Sequence, residues 1–256
     1  MPKPVLPPLR AAYSPAKELL PKYLSDVLSR LETHEGYAII KGSGPCRLGP
    51  SVVNDACPIA TALRCRVGGI VIKPVKIVNG RVEGKGIDDI DSLTMGMAVH
   101  EKYIELVSQA NPGWAIQADV FYTTFIEYNG ELIEVGFSPD ILIGRNNEWY
   151  LVEVKTAPPH TSHEVQLALY WYLLRDYYDI KRLYLVTPSA IIGYKPESME
   201  LYAKQGLDYL LAAKRVIDSW PRDAEKPGFI VKGTCPCKFA PVCPIYKGVL
   251  AYARES

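Results

Sequence analysis

The chain is 256 residues long and 48% of them are hydrophobic, enough to bury a sizeable core and too many for general disorder. Its 29 basic and 28 acidic residues leave a formal net charge of +1, so global charge neither indicates nor excludes a nucleic-acid partner. No apolar run is long enough to cross a bilayer, and the proline-rich start MPKPVLPPLRAAYSPAKELL lacks the apolar centre and cleavage site of a secretory signal. A cytoplasmic protein with no membrane partner is the expectation.

Taken along the chain, residues 14–34 read as a polar-faced helix and 51–66 as a short helix carrying Cys57. Residues 68–84 read as a hairpin turning at Asn79-Gly80. A helix is predicted over 92–110, followed by strands at about 116–128, 131–143 and 148–156, joined by Asn129-Gly130 and by Arg145–Asn147. A helix over 162–178 places Val165, Ala168, Leu169, Tyr172 and Leu173 on one face. A strand at 182–187 and a helix at about 196–219 follow, and the tail from Pro227 onward is irregular. This succession predicts an α/β fold, a mixed sheet flanked by helices with a cysteine-rich closing segment.

The stretch GFSPDILIGRNNEWYLVEVKTA, residues 136–157, carries the chemistry. Side chains alternate along a strand, so Glu153 and Lys155 share one face while Val152 and Val154 share the other. The preceding strand returns antiparallel and brings Asp140 within reach of that face. Two carboxylates can bind Mg²⁺ or Mn²⁺, and such an ion polarises a phosphoryl oxygen and acidifies water. The lysine can hold the attacking water and offset developing negative charge. The bland alternative is an exposed hairpin with a Glu–Lys pair on its polar face.

The flanks bear on that choice. Gly96 and His100 fall in the helix before the strands, and histidine is a plausible further Mn²⁺ ligand beside carboxylates. Gln166 and Tyr170, four apart, share a helical face distinct from the apolar stripe. They either orient the lysine and touch DNA or form an ordinary surface pair. Cys235, Cys237 and Cys243 are spaced C-x-C-x5-C and need a fourth ligand, for which Cys57 is the best candidate and Cys65 and Cys46 are reserves. Four thiolates suit zinc or an iron–sulfur cluster, and spacing alone does not choose. Cys46 and Cys65 are otherwise accounted for as buried small apolar residues.

In order, Gly96/His100, Pro139/Asp140, Glu153/Lys155 and Gln166/Tyr170 resemble the GxxxH, PD, ExK and QxxxY succession of the RecB-like branch of PD-(D/E)XK nucleases. With one early cysteine and three late ones added, the chain from about Ser51 to Tyr246 is similar to the CRISPR-associated Cas-four nuclease family. The resemblance implies a restriction-endonuclease-like fold and a Mg²⁺- or Mn²⁺-dependent exonuclease acting on single-stranded DNA, with the Cas-one/Cas-two integrase as a possible partner in spacer acquisition. It implies His100, Asp140, Glu153 and the Val154 carbonyl as ligands of the divalent ion, Lys155 as the group that positions water, and Gln166 and Tyr170 as helpers. It also implies a four-iron four-sulfur cluster on Cys57, Cys235, Cys237 and Cys243, with zinc as the alternative. The expected layout is one nuclease domain over 1–256: an extension of unassigned role at 1–50, cluster segments at 51–66 and 228–248, and a catalytic core at 92–190. The rival expectation is a DNA-binding module of a CRISPR or repair complex that does not cut.

Overall fold

The computed structural model describes residues 3–220 apart from residues 43, 45, 56 and 80. Segment 228–248, with Cys235, Cys237 and Cys243, lies outside the described residues.

The expected helix at 14–34 is divided. Helix α1 runs over Arg10–Ala16 and α2 over Leu20–Ser29, with a tight turn at Lys17–Leu19 between them. Pro15 and Pro21 each lack a backbone N–H, which accounts for the break. Residues 31–34 then leave helix altogether: β1 (Leu31–His34) pairs antiparallel with β2 (Tyr37–Lys41) around a turn at Gly36, whose φ is 84°.

Cys57 caps α3 (Pro58–Val67) from outside rather than lying within it, because Pro58 takes the first helical position. Strand β3 (Gly69–Ile72) joins β2, so the expected 68–84 hairpin is reduced to β4 (Val75–Val78) and β5 (Arg81–Gly84). Helix α4 spans Ile87–Ala110.

The expected three-strand meander is split. Strand β6 (Ala115–Ala118) stops at Asp119, which is left-handed with φ 57°, and β7 (Tyr122–Tyr128) and β8 (Glu131–Phe137) form a separate ribbon. After Pro139-Asp140 the chain re-enters as β9 (Ile141–Arg145) and returns as β10 (Glu148–Val154). Helix α5 (Thr161–Leu174), β11 (Asp179–Val186), β12 (Ile191–Tyr194), which the sequence reading lacked, and α6 (Glu200–Ser219) complete the described order.

The main sheet runs β12-β11-β10-β9-β6. It is mixed: β10 and β11 are parallel, and the other neighbours are antiparallel. Alternation divides its side chains between two cores. Leu142, Leu151, Leu183 and Leu185 pack under α5 and α6. Ile141, Ile143, Val152 and Val154 pack on the other face with Val99 and Tyr103 of α4 and Leu9 and Ala12 at α1. The first 50 residues are thus part of the body: the Tyr103 hydroxyl donates to the Pro7 carbonyl at 2.9 Å, and Asn111 is bonded both ways with the Val5 backbone. Among the described residues no helix is long and apolar enough to cross a membrane.

Cys46 and Cys65 form a disulfide, which corrects their reading as reserve ligands or inert apolar residues. It ties the strap that follows β2 to the last turn of α3. Closing a loop of 19 residues removes unfolded-state entropy worth about 3 kcal/mol. We therefore expect non-reducing peptide mapping to recover the two as a linked pair, and reduction to lower unfolding free energy by about that amount. Recovery of both as free thiols would contradict the pairing.

Gly206 fixes the approach of α6 to α5: an added Cβ would lie 2.4 Å from Cγ of the fully buried Leu169. Gly206→Ala should therefore destabilise the fold by about 1–3 kcal/mol despite alanine's better helix propensity, as measured by denaturant titration.

Candidate functional site

The turn at Asn146-Asn147, both left-handed, sets the register of β9 and β10, in which Arg145 faces Glu148 and Ile141 faces Val152. One step further along that register, Asp140 stands opposite Glu153. Residues directly opposite share a face, so the two carboxylates converge, and Lys155, two residues on, joins them. The contacts agree. Lys155 Nζ is 2.6 Å from Glu153 Oε1, and the Val154 N–H donates to Asp140 Oδ2 at 2.6 Å.

His100 arrives from α4, across the other layer. Its Nδ1 is 3.6 Å from Asp140 Oδ1, and the Val154 backbone acts on its titration against the dominant effect of burial. The residues expected from sequence at His100, Asp140, Glu153, Val154 and Lys155 are thus brought together. Gly96, one turn earlier, faces Thr156: an added Cβ would lie 3.6 Å from Thr156 Oγ1, an ordinary contact. Packing alone therefore does not require glycine there.

Gln166 and Tyr170 are not a surface pair. They are 3% and 4% exposed, which removes the bland reading of them and also sets the Tyr170 ring inside the fold. Gln166 Nε2 donates to the Tyr170 hydroxyl at 3.0 Å, and its Oε1 accepts from Asn54 Nδ2 at 2.6 Å. The faces of α5 expected to be apolar and polar are buried alike, because α6 and the turn at Pro50–Asn54 cover what the sheet does not.

Burial dominates the electrostatics. The Glu153 side chain is 1% exposed, and desolvation raises its pKa, followed by repulsion from Asp140; Lys155 pulls the other way. Desolvation also raises Asp140, against Lys155 and the Val154 N–H. Burial pulls Lys155 down, but the two carboxylates outweigh it and leave its pKa raised. Desolvation lowers His100. Tyr170 is pushed well up, first by burial and then by both carboxylates.

Three neighbours escaped the sequence reading. Asn54 sits in a turn whose sequence says nothing of a partner 112 residues away. Asp119 acts on both Asp140 and His100 from the break after β6, and a lone Asp interrupting an alternating strand was the available signal. His163 is lowered to about 4 by burial and by Lys155, and its buried Nδ1 has no hydrogen-bond partner. Its position three before Gln166 was visible as H-x-x-Q-x-x-x-Y.

Among the described residues, no three His, Cys, Asp or Glu side chains are gathered in ion-holding geometry. The donor chemistry nevertheless fits a hard divalent cation. The half-buried Asp140 carboxylate faces the buried Glu153, and among the described residues neither oxygen of Glu153 accepts an aligned hydrogen bond, although Lys155 Nζ lies 2.6 Å from Oε1.

Cys57 is half-buried and packs in a cluster with Ile59, Val216 and Trp220, the last described residue.

No protein-family model matches the chain. The chain is similar to the crystal structure of SSO0001, at 17% sequence identity over 91% of this chain and 97% of that one, with a TM-score of 0.44. A likeness this slight carries no argument about fold or function.

A carboxyl whose pKa is raised on folding stabilises fully below its unfolded value, and this contribution is lost as pH rises through the folded value. Asp140 and Glu153 both shift that way. In EDTA, melting temperature should therefore decline from mildly acid to mildly alkaline pH. An Asp140→Asn/Glu153→Gln variant should show a flatter profile; equal slopes would contradict the buried pair.

Proposed function

We propose that the chain is a metal-dependent deoxyribonuclease of the PD-(D/E)XK type, acting on single-stranded DNA as an exonuclease. The observation that carries the reading is the convergence of Asp140, Glu153 and Lys155 at the end of one antiparallel pair, with Glu153 buried and the other two half-buried beside His100.

His100, Asp140, Glu153 and the Val154 carbonyl would hold a Mg²⁺ or Mn²⁺ ion, which supplies Lewis acidity toward a phosphoryl oxygen. Lys155 holds the attacking water by an ammonium hydrogen bond and offsets negative charge as it grows on the phosphate. The carboxylates keep that ammonium protonated despite its burial. Asn54, Gln166 and Tyr170 form a hydrogen-bonded row under the carboxylates. Gln166 is a positioning residue in this reading, and Tyr170 acts through it rather than by touching DNA.

The thiolate site is part of the same proposal. Cys57 packs in the same apolar cluster as Trp220, the last described residue before the segment that carries Cys235, Cys237 and Cys243. Fourteen residues lie between Trp220 and Cys235, a length of chain that would allow a return to Cys57. Four soft thiolates fit an iron–sulfur cluster, with zinc as the alternative metal. The Cas-four resemblance adds spacer acquisition, with the Cas-one/Cas-two integrase, as the setting.

Lys155→Ala should reduce Mn²⁺-dependent cleavage of a single-stranded oligonucleotide by about 10²–10³-fold, while the far-UV spectrum stays that of the parent. Turnover retained in that variant would remove the assignment. Anaerobically purified protein should show iron–sulfur absorption that is lost in Cys57→Ser; a colourless zinc protein would replace the cluster with the alternative.

A further inference from the structure

Between the β1–β3 sheet and the side of α4 lies a cleft of about 400 Å³. Its polar lining is cationic: Arg30, Lys41, Arg47 and Arg64 contribute, and no acidic side chain lines it among the described residues. Its far wall is Leu93 and Met97 of α4. In a chain of net charge +1, four cations around one cleft are a local concentration that composition does not reveal.

Both walls are connected along the chain to elements that carry the site, although no site residue lines the cleft among the described residues. Met97 is one turn before His100 on α4, so the two side chains are neighbours along the helix. On the other side, the strap bearing Arg47 is stitched to β8: the Gly136 N–H donates to the Leu48 carbonyl at 2.9 Å, and Gly136 lies four residues before Asp140.

The cations differ in how they are held. Arg30 pairs with Asp26, Lys41 lies 3.3 Å from Glu32, and Arg64 lies 3.5 Å from the buried Asp55. Arg47 has neutral neighbours instead. It donates to Thr123 at 3.0 Å and lies 5.2 Å over the ring of Phe121, which is 57% exposed. A guanidinium beside an exposed aromatic face combines a phosphate contact with a surface on which a base can stack. Lys41 offers a second charge in the same cleft.

We propose that this cleft is the track of the substrate strand, holding the phosphodiester backbone of single-stranded DNA as it approaches Asp140 and Glu153, with Arg47 and Lys41 as its phosphate contacts and Phe121, beside Arg47 but outside the cleft lining, as a stacking face. The proposal rests on the nuclease reading for its substrate. It adds where that substrate lies and which residues bind it away from the reacting atoms.

The test is fluorescence anisotropy of a labelled oligothymidylate with the full chain in EDTA, repeated over a range of salt. Arg47→Ala and Lys41→Gln should each weaken binding several-fold and make the log affinity against log salt slope shallower by about 0.7 for the cation removed. Arg47→Lys should keep the slope, and Phe121→Ala should weaken binding with the slope unchanged. Lys181→Ala, at the opposite end of β10, should bind as the parent does. Parental affinity and slope in both Arg47→Ala and Lys41→Gln would overturn the track. If one variant fails to fold, the other decides alone. Cleft-dependent binding without Mn²⁺-dependent cleavage would remove the nuclease reading and leave the track. Cleavage with binding indifferent to both cations would remove the track alone.

Discussion

Asp140, half-buried, faces the fully buried Glu153, and the rest of the site is arranged around the cost of that pairing. Removing a carboxylate from water costs several kcal/mol even after relaxation. A second carboxylate across the strand pair adds repulsion that a low-dielectric surrounding does not screen. One ammonium, Lys155, and one backbone N–H, from Val154, oppose this directly. Neither could do so if β9 and β10 slipped by one residue, since every side chain of the slipped strand would change face. The two left-handed asparagines at the turn therefore matter to the chemistry although they lie at the far end of the hairpin.

The two-layer architecture follows from the same place. Glu153 shares its sheet face with Leu151, under α5, while Val154 is packed in the α4 layer. The carboxylate centre sits at the end of the strands, where both layers can reach it: His100 from one side, Gln166 and Tyr170 from the other. Asn54 extends the second set into the N-terminal third of the chain. Because α1 also packs on α4, the early residues brace the helix that delivers His100. A segment without assignable chemistry in the sequence is thereby tied to the site by packing.

What could be read from the sequence was what neighbours along the chain determine. The Glu153/Lys155 face follows from strand alternation, and the approach of Asp140 follows from a two-residue turn, so both were legible in the residues themselves. The hidden features depend on distant partners. β6 abandons β7 to pair with β9 because the left-handed Asp119 breaks the strand, and alternation on either side of the break looks the same. Gln166 and Tyr170 looked polar-faced because helical periodicity describes one face at a time. It carries no information that α6 and the Pro50–Asn54 turn will close over the remainder. Cys46 and Cys65 sit nineteen residues apart, a separation that fits a disulfide as readily as two unrelated buried thiols.

Charge shows the same limit in a sharper form. A balance of 29 basic against 28 acidic residues would describe a surface of evenly mixed sign. The fold instead sorts charge by place. Asp140 and the buried Glu153 converge at the strand ends, while arginine and lysine line a separate cleft with no acidic side chain among its described lining residues. A polyanion is attracted by the local potential of a groove rather than by the sum over the molecule, and low-dielectric walls concentrate that potential. Near-neutral composition is therefore compatible with a strongly uneven distribution of charge over the folded chain.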